Sequence, residues 1–357
     1  MRIKNIDILK TIAIAMVILI HFRYDVIAMN PDTSDLHKAI YFILRNFYSC
    51  GVILFIVISG YLIIDKKYSY ENIFKKIFIL YLLTIFYKLV AILIMEGGHF
   101  TPSMIGNILF NGAFNGSSLQ GDYRTNHLWY IYVYMGILFF QPIMSSIYQD
   151  KKKYTIFATF VILVTFIIIF TFNFLQFENI TGTAFTASLP LSTKYAHMYA
   201  LYLLGGLIKM NEEKIVNYFN NLKYRVTKVV TILLFTLGTG SILTYILKFM
   251  NKETFSTPAY HYETFYGLVM GVSLFCLFRY CLPEIQNKYI QFISKNSLGI
   301  YFIHWPIEYI IKKYSIEIPF FQNVITDSLL SIAILFICAI VIYLFQKNKY
   351  LAKLVTI

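Results

Sequence analysis

Residues 324–346 read VITDSLLSIAILFICAIVIYLFQ, an apolar run with a single charge, Asp327. As an α-helix this stretch would be about 35 Å long, enough to cross the roughly 30 Å hydrocarbon core of a bilayer. Runs of the same kind recur towards the N-terminus, separated by polar breaks. They delimit ten candidate helices near 8–28, 39–64, 73–95, 128–148, 154–173, 196–209, 227–249, 264–281, 297–313 and 324–346. The composition agrees. Of the 357 residues, 58% are hydrophobic and 14% charged, against roughly 25% charged in soluble proteins. The expected fold is all-α, one polytopic membrane domain over residues 1–357 with no separate soluble domain. The sixth run, AHMYALYLLGGLIK, is short and carries Gly205-Gly206, which points to a broken or tilted helix.

The N-terminal stretch MRIKNIDILKTIAIAMVILIHF has the basic start and apolar run of a signal peptide. Asp7 and Lys10 interrupt it, and no small-x-small cleavage site follows His21, so an uncleaved first helix is expected. The net charge of +13 is explained by the placement of basic residues rather than by a nucleic-acid surface. With ten spans, the segments on the side of the termini hold 21 Lys and Arg and the opposite segments hold 9, Lys88 lying within a span. Basic residues concentrate in cytoplasmic loops, so both termini are expected in the cytoplasm. The long opposite segment from about 96 to 126 is rich in Gly, Asn and Ser and reads as an outer loop or lid. The four cysteines show neither a C-x-x-C pair nor zinc spacing and read as structural thiols; no metal site is expected. No internal repeat is evident.

Ionisable groups inside spans are costly and need an explanation. Lys10 and His21 are eleven positions apart, close to three helical turns, so they share one face about 16 Å apart along the axis. Lys10 falls near the inner surface and His21 beyond the midplane. A lysine at a helix end can simply snorkel, and a histidine near the outer end can meet the headgroups. An imidazole held deep in a protein is also well suited to general-base chemistry, because its pKa lies near neutrality.

The opening Ile6-Asp7-Ile8-Leu9-Lys10, followed by His21-Phe22, resembles the start of acyltransferase-3 proteins, many of which have Arg where this chain has Lys10. Further along, Phe55-Ile56-Val57-Ile58-Ser59-Gly60-Tyr61-Leu62 is similar to the family's F-x-x-S-G-F/Y-L element, and the basic Phe74-Lys75-Lys76-Ile77 follows it. His127-Leu128-Trp129-Tyr130 resembles H-L-W-F/Y, and the stretch from Ser297 through Ile300-Tyr301 to His304-Trp305-Pro306 resembles S-x-x-I-Y-x-x-H-x-P. Five fragments in order across the chain make the resemblance specific.

The resemblance implies a membrane O-acyltransferase that takes an acyl group, commonly acetyl from acetyl-CoA, to hydroxyls of extracytoplasmic polysaccharides or related glycans. On that reading His21 is the catalytic base or forms a transient acyl-histidine, and Lys10 and Asp7 complete the inner end of its helix. Ser59, Gly60, Tyr61, Lys75 and Lys76 serve the acyl-CoA donor, which is a co-substrate rather than a bound cofactor. Arg124, His127, Trp129 and His304 serve the glycan acceptor. The Lys-, Ile- and Asn-rich composition fits an AT-rich bacterial genome, so the expected location is a bacterial plasma membrane. The partners are then acyl-CoA, a glycan and membrane lipids, with no nucleic acid. A glycan exporter or flippase of the same fold is the rival reading. A polymerase or ligase is disfavoured, because the long outer loop carries only Arg124.

Overall fold

In the computed structural model, described here for residues 3–21, 34–96, 108–109, 126–168, 195–250, 265–315 and 324–355, every regular element is helical. In chain order these are α1 (Lys4–His21), α2 (Asp35–Ile63), α3 (Tyr70–Glu96), α4 (Trp129–Tyr148), α5 (Lys151–Leu163) and α6 (Ala196–Met210). They continue with α7 (Glu212–Asn220), α8 (Arg225–Met250), α9 (Phe265–Cys276), α10 (Lys288–Lys295), α11 (Ser297–Ser315) and α12 (Val324–Gln346). One 3-10 turn, Asn126–Leu128, leads into α4 and another, Leu351–Leu354, follows α12, and π-turns extend α5 and α9 over Val164–Ile168 and Leu277–Cys281.

Five of the described helices are long and apolar enough to cross a membrane, over Ile43–Ile63, Tyr70–Ile94, Trp129–Tyr148, Arg225–Ile242 and Val324–Gln346. The other five expected runs overlap α1, α5, α6, α9 and α11, which are shorter or carry more charge, and the expected runs 8–28 and 154–173 continue beyond the described residues. The outer loop expected over 96–126 lies almost wholly outside the described residues.

Apolar residues cover the outside of the bundle as well as filling its core, and the few polar groups within the spans are turned inward, unlike a soluble bundle. On α12, Ile325, Leu329, Ile332, Phe336 and Ile340 are exposed, while Asp327, Ser331 and Cys338 are buried on the other side. That is the distribution expected when the surrounding solvent is lipid and polar groups must be satisfied within the protein. Cys50, Cys281 and Cys338 are buried, and all four cysteines are unbridged.

The core of the bundle is α2, which packs against α1, α6, α8 and α9. Its contact with α6 is unusually close. A Cβ on Gly60 would fall on the Tyr202 carbonyl, and one on Gly205 would fall on the Val57 carbonyl. Two glycines facing one another let the backbones touch, the standard device for helix association without a hydrophobic drive. The Gly205-Gly206 pair therefore belongs to a tight crossing. Helix α6 runs unbroken over Ala196–Met210, so no break occurs there.

Two short helices, α7 and α10, escape a search for apolar runs because they are amphipathic. Asn287 caps α10, its side chain accepting from the Tyr289 and Ile290 amides. The helix then packs on the N-terminal end of α1, where Ser294 donates to the Asp7 carboxylate at 2.7 Å. Gln141 of α4 donates to the Ile63 and Lys66 carbonyls at 3.1 and 2.6 Å. Each such bond contributes about 1 kcal/mol, and together they hold the turn after α2 against α4.

Candidate active site

A cavity of about 580 Å³ lies among α1, α2, α3, α4 and α11. Four lysines line it: Lys10 from α1, Lys66 from the turn after α2, Lys76 from α3 and Lys295 at the end of α10. The acid in the lining is Asp7, already engaged by Ser294. Tyrosines form much of the remaining wall. Tyr130 and Tyr134, one turn apart on α4, lie nearly parallel with ring centroids 6.3 Å apart. Lys76 Nζ sits 5.9 Å from the Tyr134 ring centre. The space is therefore basic and aromatic, suited to a polyanion that also carries flat or apolar parts.

Tyr301 of α11 lines the cavity. Its ring lies 5.7 Å from His127 and 5.5 Å from His304. Its hydroxyl donates to the His127 backbone carbonyl, which ties α11 to the turn ahead of α4. Helical geometry explains why one tyrosine meets both regions. His304 follows Tyr301 by one turn on α11, and His127 precedes Tyr130 by one turn, so two antiparallel helices step from cavity to imidazoles together.

Three histidines and a tryptophan meet beyond Tyr301. His21, the last residue of α1, lies 5.8 Å from His304 and 5.2 Å edge-on from Trp305. His127 lies 5.1 Å from His304 and stacks on Trp305 at 5.1 Å. Trp305 thus stands between two imidazoles and fixes their separation.

The Nδ1 of His304 is 2.6 Å from the Tyr301 carbonyl oxygen. A carbonyl can only accept, so Nδ1 carries the proton and Nε2 is the basic nitrogen of the neutral ring. Neither ring nitrogen of His127 has a hydrogen-bond partner among the described residues. Burial, reinforced by the facing His304 and His21, holds the His127 pKa well below the usual histidine value. His127 is therefore a neutral imidazole at the edge of the apolar span. Such a cluster can hydrogen-bond a hydroxyl, take its proton or attack a carbonyl. Among the described residues, no group of three or more His, Cys, Asp or Glu side chains is arranged to hold a metal ion.

A family model described as an acyltransferase domain, acyltransferase-3, matches residues 3–344, nearly the whole chain. The chain belongs to the acyltransferase-3 family. No curated protein and no solved structure matches it.

In this acyltransferase, the residues named from sequence fall in different places. Asp7, Lys10, Ser59 and Lys76 line the cavity, and His21, His127 and His304 meet above it. Gly60, Tyr61 and Lys75 do not line the cavity. Gly60 is at the α2–α6 crossing, and Lys75 faces outward. Tyr61 donates to Glu212 at 2.5 Å, with Arg279 also bound to Glu212 at 2.7 Å, in a knot joining α2, α7 and the turn after α9. Trp129 stacks on Tyr195 at 5.0 Å, and Arg124 lies outside the described residues.

Several cavity and cluster residues were not singled out from sequence. Lys66 and Lys295 counted only as inner charges, and Tyr134 lies outside every quoted fragment. Tyr130, Tyr301 and Trp305 stood inside quoted fragments, where an aromatic beside a histidine was the available signal. Lys88, buried within α3, donates to the Tyr132 hydroxyl at 3.0 Å; its position inside a span was the cue.

Proposed function

We propose that this membrane acyltransferase moves an acyl group, acetyl from acetyl-CoA, from the cytoplasm to a hydroxyl of an extracytoplasmic glycan. The observation that carries the reading is that Tyr301 both lines the lysine-lined cavity and contacts His127 and His304 of the histidine cluster. Lys10, Lys66, Lys76 and Lys295 face the donor phosphates, and the tyrosine wall flanks the rest of the donor. The thioester then reaches towards His21. His21 takes the proton of the acceptor hydroxyl as its oxygen attacks the thioester carbonyl. The C–S bond breaks, and the departing thiolate recovers the proton from the imidazolium, so no net proton is consumed. His127 and His304 hold the acceptor. In the competing course His21 attacks first and an acyl-histidine passes the group on. The protein lies in a bacterial plasma membrane with both termini in the cytoplasm, as its basic residues favour.

The test is acetyl-CoA binding and turnover by the purified protein in nanodiscs, with Lys10→Gln and Lys76→Gln beside wild type. Each variant is expected to raise KM for acetyl-CoA by about tenfold with kcat little changed, since a phosphate contact acts on binding. Wild-type protein that neither binds nor turns over acetyl-CoA would sink the reading and bring the exporter forward.

A further inference from the structure

A second basic cavity, of about 510 Å³, lies away from the candidate active site, between the start of α5 and the junction of α6 and α7. Lys151 and Lys152 enter it from α5 and Lys214 from α7, with Thr155, Ile156 and Asn211 completing much of the wall. Neighbouring lysines are neutralised by nearby acids. Lys153 pairs with Asp150 at 3.2 Å, and Lys209 pairs with Asp65 at 2.6 Å. Of the two acids that precede Lys214 on α7, Glu212 is engaged by Arg279 at 2.7 Å, and Glu213 is exposed and does not line the cavity. Lys151, Lys152 and Lys214 have no ion-pair partner among the described residues. The first amides of α5 do not create the site, since the Asp150 carboxylate already accepts from Lys152 and Lys153.

What adjoins the lysines identifies the ligand. Lys152, Ile156, Phe160 and Leu163 follow one another at helical spacing along one face of α5. Ile156, Phe160 and Leu163 are 61%, 60% and 50% exposed, an apolar strip suited to acyl chains. A polar basic cavity at the head of a lipid-facing strip matches a molecule with an anionic headgroup and a hydrocarbon tail. Like charges gathered from two helices repel unless an anion lies between them.

We infer that this cavity binds the phosphate headgroup of an anionic phospholipid, whose acyl chains lie along Ile156, Phe160 and Leu163. The lipid joins α5 to α7 at the membrane surface, independently of the acyl-transfer site.

The full-length protein in detergent is titrated with phosphatidylglycerol or phosphatidylcholine and read by native mass spectrometry. Wild type is expected to prefer phosphatidylglycerol. Lys151→Gln, Lys152→Gln and Lys214→Gln combined should weaken its binding by about a hundredfold, or about fivefold per lysine. Lys153→Gln, which removes a paired lysine, should leave the preference intact. If the triple variant fails to fold, Lys214→Gln alone still carries the fivefold loss. Equal binding of the two lipids overturns the proposal, as does a triple variant that keeps the preference. Displacement of phosphatidylglycerol by millimolar inorganic phosphate also overturns it, assigning the cavity to a free anion.

Discussion

Replacing His21 with alanine is expected to lower acyl transfer by about a hundredfold to ten-thousandfold, the usual contribution of a positioned general base, while acetyl-CoA still binds. The separation of the two effects follows from the position of His21. Lys10 of the cavity lies near the start of α1, about 16 Å along the helix axis from His21. The histidine itself is partly exposed at the end of α1 and touches His304 and Trp305 by ring edges. Removing it deletes the base without unseating the donor or opening a void in the core. Turnover of acetyl-CoA and binding of a non-hydrolysable analogue, measured on one preparation, check both halves. Loss of binding together with turnover would mean that His21 supports the cavity. Undiminished turnover would pass the role of base to His304 or His127. His304→Ala is expected to be less informative, because His304 is fully buried, with 0% exposure, and its loss disturbs packing as well as chemistry.

The all-helical membrane character was legible in residues 324–346 alone, whose limits coincide with α12. Apolar runs report a helix when the membrane itself dictates the composition. They fail for α7 and α10, which alternate polar and apolar faces and carry too many polar residues to register as runs. At the site, spacing along a single helix was enough to relate Lys10 to His21, because both lie on α1. The meeting of His21 with His127 and His304 joins α1, α11 and the turn ahead of α4, and no spacing encodes that. The resemblance named those histidines separately; their convergence, and the place of Tyr301 between them and the cavity, is a property of packing. The same limit explains Lys75 and Lys76. Adjacent residues on a helix point about 100° apart; here Lys76 lines the cavity and Lys75 faces outward.

Gly60 gives the sharpest contrast between motif and packing. It stands within the Ser59-Gly60-Tyr61 element that the resemblance associates with the donor, yet its Cα faces α6. Gly60→Ala would put a methyl group on the Tyr202 carbonyl, and both partners are backbone, so no side chain can turn aside. The two helices must separate, losing the reciprocal contact of Gly205 with Val57. Overpacking of this kind costs about 1–3 kcal/mol where side chains can adjust, and a backbone clash lies at the upper end or beyond. Gly60→Ala is therefore expected to lower the thermal unfolding midpoint and the yield of monodisperse protein, with an unchanged KM for acetyl-CoA in the fraction that folds. Gly238 of α8 is the control. A Cβ there meets nothing within 4 Å, and alanine favours a helix by up to about 1 kcal/mol over glycine, so Gly238→Ala should be neutral or stabilising. A Gly60→Ala protein as stable as wild type but with a raised KM would return Gly60 to the donor site and refute the packing account. Lowered stability in Gly60→Ala beside an unaffected Gly238→Ala protein would show that this part of the motif is read by helix α6 rather than by the substrate.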